Sequence, residues 1–339
     1  FAGNTALLGC SDVIIATRGS NIGMAGPAMI EGAGLGRCEP TDIGPVEMQA
    51  RNGAVDIVVE DEREAVATAR RYLAYFQGDL TEWRCADQRL LRHAVPENRT
   101  RAYDVRHLIS LLADEESVLE LRRDFGRAVL TALARIEGRA VGIIASDNAR
   151  IGGAIDSPAA DKAARFMQLC DAFGIPILNL LDTPGFMVGP EAEEKAQVRH
   201  LARMFVTASH CEVPVFTVVL RKAYGLGALA AAAGSFHASV FSVAWPTGEF
   251  GPMGLEGAVR LSHRRELEAL DDEAERKALF DRLVGEHYQR GKAVRIAGQL
   301  EIDEVIDPAE NRAWIVHGLE TADMDPRAGG GSGRFVDPW

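Results

Sequence analysis

The sequence predicts an α/β fold made of two related halves, and three observations carry that prediction. From about Val129 to Trp245, apolar runs of strand length alternate with helical patterns, which is the mark of a sheet with much parallel pairing. Within that stretch, Val215–Leu220 leads through Arg221-Lys222 into a glycine turn, Gly225-Leu226-Gly227. A small-residue run (Ala228 to Ala233), a second apolar run (Ala238–Trp245) and a loop rich in glycine and methionine follow. The same order opens the chain: the turn Ala2-Gly3, a short apolar helix, the run Asp12–Thr17, and then Ile22-Gly23-Met24-Ala25-Gly26-Pro27, which mirrors Phe250-Gly251-Pro252-Met253-Gly254. Self-similarity at that distance points to two folding units rather than a short-period solenoid.

In order along the chain, Asp12–Thr17 reads as a short buried strand, and Val55–Val59 as another. Glu60 to Phe76 reads as an amphipathic helix with Glu62, Glu64, Arg70 and Arg71 on its wet side. Gln77 to Thr100 is charged and weakly periodic, so the domain boundary is set there, dividing 1–95 from 96–327. Ala102–Leu112 reads as a helix, and Val118–Leu121 as a short strand. Glu137-Gly138-Arg139 between two apolar runs is a hairpin signal. Asn148–Asp156 is a glycine loop, with Ser157 and Pro158 opening a helix that runs to Phe173. Ile177–Leu181 is a strand ended by Asp182-Thr183-Pro184-Gly185-Phe186, and Pro190–Ser209 is a helix. Arg264–Arg290 is helical with a break at Asp271-Asp272. Glu301–Ile306 leads through Asp307-Pro308 into a last helix, and the Gly/Ser-rich tail 328–339 is expected to be mobile.

With 339 residues, 47% hydrophobic, the chain can bury real cores, and its net charge of −12 argues against a nucleic-acid or anionic-membrane partner. The five cysteines form no CxxC pair and no Cys/His cluster has metal-ligand spacing, so free thiols and no metal are expected. A glycine turn that opens a helix leaves N–H groups without intrahelical partners, and such donors hold an oxyanion; the same turn also simply packs helix on sheet. Asp182–Phe186 lies at the carboxyl end of a strand, where open α/β sheets bind ligands, or ends that strand and nothing more. Arg221-Lys222 either screens an anion or covers a strand end. Tyr224 is a contact or packing, Met24, Met29 and Met253 read as packing, and Glu249 reads as a solvated loop acid. No G-x-S-x-G, HExxH or paired-carboxylate spacing occurs.

Three colinear stretches, GGAIDSPAADKAARFMQLCDAFGIPILNLLDTPGFMVG (152–189), VPVFTVVLRKAYGLGA (213–228) and AWPTGEFGPMGLEGAV (244–259), resemble the carboxyltransferase component of biotin-dependent acyl-CoA carboxylases. The resemblance runs from Phe1 to about Leu319. It implies a crotonase-like fold with two halves per chain, the N-terminal half beginning inside its oxyanion turn and completed by an upstream segment or a partner chain. It also implies an active site between the N-half of one subunit and the C-half of another, in a homo-oligomer such as a hexamer, in the cytoplasm. Biotin would arrive on a separate carrier domain or subunit, loaded by a biotin carboxylase, since no Met-Lys-Met biotinylation site occurs here. The end of the chain, Phe335–Trp339, resembles that of single-chain carboxylases.

By that resemblance, Ala2 and Gly3 hold the thioester oxygen and Leu226 and Gly227 the biotin oxygen, through backbone N–H groups alone. Tyr224, Gly225, Gly185 and Phe186 fall on the biotin side; Gly26, Pro27 and Leu229 fall on the acyl-CoA side. Leu229 stands where short-chain members carry aspartate, which implies a greasier pocket suited to longer acyl chains. The implied reaction moves a carboxyl group from carboxybiotin to the α carbon of an acyl-CoA through an enolate. The competing readings are a decarboxylase running the other way, a biotin-independent hydratase or isomerase using Glu249 as base, and a scaffolding subunit for a complete partner.

Overall fold

The computed structural model describes residues 1–322 and 334–339. β1 (Ile15–Thr17) and β2 (Ile57–Val59) form a small parallel sheet. The main sheet has eight strands: β3 (Leu119–Leu121), β4 (Val129–Ile136), β5 (Arg139–Ser146), β6 (Ile177–Thr183), β7 (Val215–Tyr224), β8 (Phe241–Ala244), β9 (Glu249–Gly251) and β10 (Glu304–Val305). Their order is β10-β8-β7-β6-β5-β4-β3, with β9 paired to the end of β7. β3, β4 and β5 are antiparallel, and the β4–β5 turn at Glu137-Gly138 is the predicted hairpin. From β5 to β10 the pairing is parallel. β6 and β7 are buried along almost their whole length because helices cover both faces of this part of the sheet, and the polar residues they carry, among them Asp182 and Arg221, are buried with them. One core holds the helix Ser157–Phe173, and the other the helices Val105–Leu112 and Asn311–Thr321.

The repeat read in the sequence has a counterpart in the order of elements, once the shorter or inserted elements between them are set aside. Helix Gly3–Gly9, β1, helix Pro27–Gly32, β2 and helix Glu62–Ala74 follow the same order as helix Gly225–Ala231, β8, helix Leu255–Ser262, β10 and helix Asn311–Thr321. In each series the two strands pair in parallel. Asp56, at the start of β2, ties the small sheet to the large one. Its carboxylate accepts from Ile14 N–H at 2.7 Å and from Arg122 Nε at 3.0 Å, and its carbonyl accepts from Arg122 N–H at 2.8 Å.

Several boundaries differ from expectation for local reasons. Asp156, rather than Ser157, caps the long helix, accepting from Ala159 N–H at 3.0 Å; Ser157 lies inside it and bonds Gln197. The expected helix Pro190–Ser209 is two, Pro190–Glu193 and Gln197–His210, because Ala196 is left-handed with φ 54°. β7 runs four residues past Leu220, since Arg221 is buried in an ion pair and Lys222 to Tyr224 pair with β9. The break at Asp271-Asp272 is as predicted, with Asp272 capping Glu273–Arg290. Of the tail, 328–333 lies outside the described residues. Residues 334–339 are docked where composition suggests mobility: Asp337 accepts from Gln168 at 3.0 Å and from Arg203, and Trp339 packs edge-on to Phe125.

Lys162 is buried on the long helix, where Nζ donates to the Phe125 carbonyl at 3.0 Å. Burial pushes its pKa down to about 7, and nearby Arg106 and Arg122 act in the same direction against Glu120 and Asp147. The unfolded chain keeps this proton up to the ordinary lysine value of 10.5, so between about pH 7 and that value it binds more protons than the native state. Native stability from this group therefore rises with pH across the window, by at most about 1.4 kcal/mol per pH unit, and is flat below it. Lys162→Met should remove that slope. Urea unfolding of both proteins at several pH values checks it, and parallel pH dependences contradict it.

Candidate active site

The second glycine turn is built by close backbone approach. β7 delivers Tyr224 to the N-cap of helix Gly225–Ala231, and Gly225 has φ 58°. A Cβ on Gly225 would stand 2.7 Å from the Pro252 carbonyl oxygen. One on Gly227 would stand 2.7 Å from both Cα and C of Gly185 and 2.8 Å from Phe186 N. Gly185, with φ 112°, in turn faces the Tyr224 carbonyl. Tyr224, Gly225, Gly227, Gly185 and Phe186 are therefore one packed unit, although the Gly185-Phe186 loop is some forty residues earlier in the chain. Among the described residues, the N–H groups of Leu226 and Gly227 find no acceptor, as the first amides of a helix require. Leu226 is 64% exposed while Gly227 and Tyr224 are buried, so the turn lies at the edge of the core, and Leu229 is half-buried three residues on, along the same helix face.

The first turn has the same logic with one difference. Ala2 caps helix Gly3–Gly9 with φ 59°, and its own N–H donates to the Met24 carbonyl at 3.0 Å. That donor is used within the chain. Among the described residues, the open amides of this turn are those of Gly3 and Asn4. Gly26 caps helix Pro27–Gly32, accepting from Met29 N–H at 3.1 Å, and a Cβ there would meet the Phe1 ring at 3.5 Å. Ala2 is thus tied to Met24 and Gly26 lies against Phe1, with Gly3 and Pro27 opening the two short helices that follow them. Met24, Met29 and Met253 are exposed, not packed as the composition suggested, because each sits on a loop or short helix outside the cores. Among the described residues, no hydrogen bond or ion pair joins residues 1–36 to the unit at Gly185–Gly227.

Beneath the second turn lie two polar clusters that sequence reasoning placed wrongly or passed over. Arg221, 2% exposed, pairs with the fully buried Asp182 at 2.9 Å, and Asp182 also accepts from Asn148 Nδ2 and Lys222 N–H. Arg221 Nη1 donates to the carbonyls of Asn98 and Arg101 and its guanidinium lies over the Tyr103 ring, so residues 98–103 form a strap across the ends of β6 and β7. Glu249, expected in solvent, is 1% exposed, because β9 pairs with β7 and tucks it against the sheet. Its compensation is Arg99, whose Nε reaches Glu249 at 3.0 Å, Nη1 reaches Glu256 at 2.7 Å and Nη2 reaches the Tyr224 hydroxyl at 3.2 Å. Burial works against the Arg99 charge, but the bonds to Glu249, Glu256 and Tyr224 outweigh it and raise its pKa. Burial, then the Glu249 carboxylate, raises the Tyr224 phenol. Nothing local flags Arg99: it stands in a charged stretch without periodicity, and its partners are about 125 to 157 residues away.

The Carboxyl transferase domain model matches residues 2–329. The chain belongs to the carboxyl transferase family. It is 34% identical to the beta6 subunit of the biotin-dependent acetyl-/propionyl-coenzyme A carboxylase of Mycobacterium tuberculosis, covering 95% of this chain and 69% of that one. Among solved structures it is similar to a single-chain, multi-domain long-chain acyl-CoA carboxylase, with a TM-score of 0.88 and 56% identity over 94% of this chain and 31% of that one. It is also similar to the transcarboxylase 12S hexamer with methylmalonyl-coenzyme A bound, with a TM-score of 0.84 and 31% identity over 94% of this chain and 62% of that one. The chain therefore spans roughly two thirds or less of the relatives it matches. The family assignment bears out the resemblance read from 152–189, 213–228 and 244–259, and with it the crotonase-like fold. This carboxyltransferase module carries two turn–helix units, one in each half.

Proposed function

We propose that this module moves a carboxyl group from carboxybiotin to the α carbon of an acyl-CoA thioester. The observation that carries the reading is the Leu226–Gly227 turn, whose unpartnered amides are held in place by the backbone of Gly185 and Phe186. A cradle that admits no Cβ and presents amides of a helix N-terminus suits a neutral carbonyl-type oxygen that gains negative charge, as the ureido oxygen of biotin does. When bound, biotin brings the carboxyl group and, once relieved of it, a ureido nitrogen that takes the α-proton. Gly3 and Asn4, rather than Ala2, offer the amides for the thioester oxygen, because Ala2 N–H is bonded to Met24. The acyl-CoA loses its α-proton and gains carbon dioxide at the same carbon, so no protein acid or base is consumed.

Among the described residues no hydrogen bond or ion pair joins the two turns of one chain, which supports a site completed by a second copy, the Ala2–Gly3 side of one facing the Leu226–Gly227 side of the other. The hexamer assembly of the 12S transcarboxylase is consistent with that arrangement. Carrier and carboxylase domains for biotin, on this protein or another, complete the proposed partners, and a cytoplasmic location goes with them. No described helix is long and apolar enough to cross a membrane. A hydratase with Glu249 as base is disfavoured, since that carboxylate is buried against Arg99. ATP- and bicarbonate-dependent carboxylation of acyl-CoA that avidin blocks would support the carboxylase direction. Avidin-sensitive loss of carbon dioxide without either would favour the decarboxylase.

Leu229 supports a substrate with a longer acyl chain, and the long-chain carboxylase relative at 56% identity agrees with it. Leu229→Asp should lower kcat/KM for long-chain acyl-CoA by about tenfold or more, since a carboxylate would face the alkyl tail, and change it little for acetyl-CoA. A kcat/KM series over chain length checks this. Strict preference of the unaltered enzyme for acetyl-CoA would sink the assignment.

A further inference from the structure

We infer that Arg99 is a positioning residue for the biotin-side turn, acting from the 98–103 strap through Glu249 and Tyr224; this rests on the carboxyltransferase reading of that turn. The turn has no scaffold of its own beyond its neighbours. β9 pairs with the last three residues of β7 in the register Lys222 with Glu249, Ala223 with Phe250 and Tyr224 with Gly251. The carbonyl of Pro252, next after β9, is the surface against which Gly225 is packed. A shift of β9 therefore moves the turn.

β9 in turn carries a buried carboxylate. Glu249 Oε2 accepts from Arg99 at 3.0 Å, and Oε1 is buried with no partner among the described residues. The same guanidinium holds Glu256 on helix Leu255–Ser262 and the Tyr224 hydroxyl at the end of β7, and lies over the Tyr288 ring of helix Glu273–Arg290 at 5.7 Å. One planar fork thus joins four elements, β7, β9 and the helices Leu255–Ser262 and Glu273–Arg290, a geometry open to arginine and not to the single ammonium of lysine. The strap that delivers it is itself anchored: Arg221 Nη1 binds the carbonyls of Asn98 and Arg101 at 3.1 and 2.8 Å, on either side of Arg99. Arg99 makes no bond to the open amides of Leu226 or Gly227, so it acts by holding their support.

The test uses the native full-length protein and the transfer of a carboxyl group from an α-carboxyacyl-CoA to free biotin. In Arg99→Gln, kcat/KM for biotin should fall by about tenfold or more, while the thioester KM stays within about twofold of the original. Arg99→Lys should lie between the two. Adding Glu249→Gln to Arg99→Gln should restore part of the loss, because the carboxylate that Arg99 balances is then gone. Where Arg99→Gln does not fold, the same ratio of biotin to thioester effects in Arg99→Lys decides. Biotin kinetics within about twofold of the original in a folded variant, or equal losses for both substrates, would overturn the inference. Absence of transfer by the unaltered protein would instead strike at the carboxyltransferase reading itself.

Discussion

Gly227→Ala should slow carboxyl transfer to biotin by about 10²- to 10³-fold, the loss seen when one oxyanion donor is removed from a preorganised site. The added methyl would stand 2.7 Å from Gly185 Cα and C, both backbone atoms that cannot rotate away. Either the helix start or the Gly185-Phe186 loop must then shift, and both carry the proposed site. Overpacking of this kind costs about 1–3 kcal/mol, so the protein should remain folded while the turn loses its aim. Single-turnover rates with saturating thioester, beside a thermal unfolding curve, separate the two effects. An unchanged rate would remove Gly227 from the role given to it.

Arg221→Leu should destabilise the fold by about 3–5 kcal/mol, the usual result of breaking a buried ion pair by removing one partner. Asp182 is fully buried, and its bonds to Asn148 and Lys222 N–H do not replace the lost positive charge. The strap loses both of its carbonyl anchors in the same step, leaving Asn98 and Arg101 carbonyls to find new donors. Denaturant unfolding at neutral pH reads the change directly. A loss below about 1 kcal/mol would place Arg221 among weakly coupled surface pairs, contrary to its burial.

The fold was legible wherever a pattern is local. Alternation and length located β4 to β8 and the hairpin at Glu137-Gly138, and the repeated turn–helix–strand order located both oxyanion candidates. Gly225 and Gly227 could be picked out because close backbone approach leaves glycine as its trace in the sequence. What could not be read is whatever depends on a distant partner. Glu249 looks like any loop acid until β9 is laid on β7, and Arg99 looks like any charge in a linker until it is seen beneath Tyr224. Ala2 resembles a free donor until the Met24 carbonyl, some twenty residues on, is found to occupy it. Asp156 outcompeted Ser157 as a cap because Ser157 had a use elsewhere, on Gln197.

The most direct measurement is carboxyl transfer from an α-carboxyacyl-CoA to free biotin by the native full-length protein, followed as biotin-dependent loss of the carboxyl group from the thioester. Transfer that saturates in both substrates and collapses in Gly227→Ala, with acyl-CoA binding retained, is the predicted result. Acyl-CoA binding with no biotin-dependent transfer, or transfer indifferent to Gly227→Ala, would contradict the assignment of Leu226–Gly227 as the biotin-side turn.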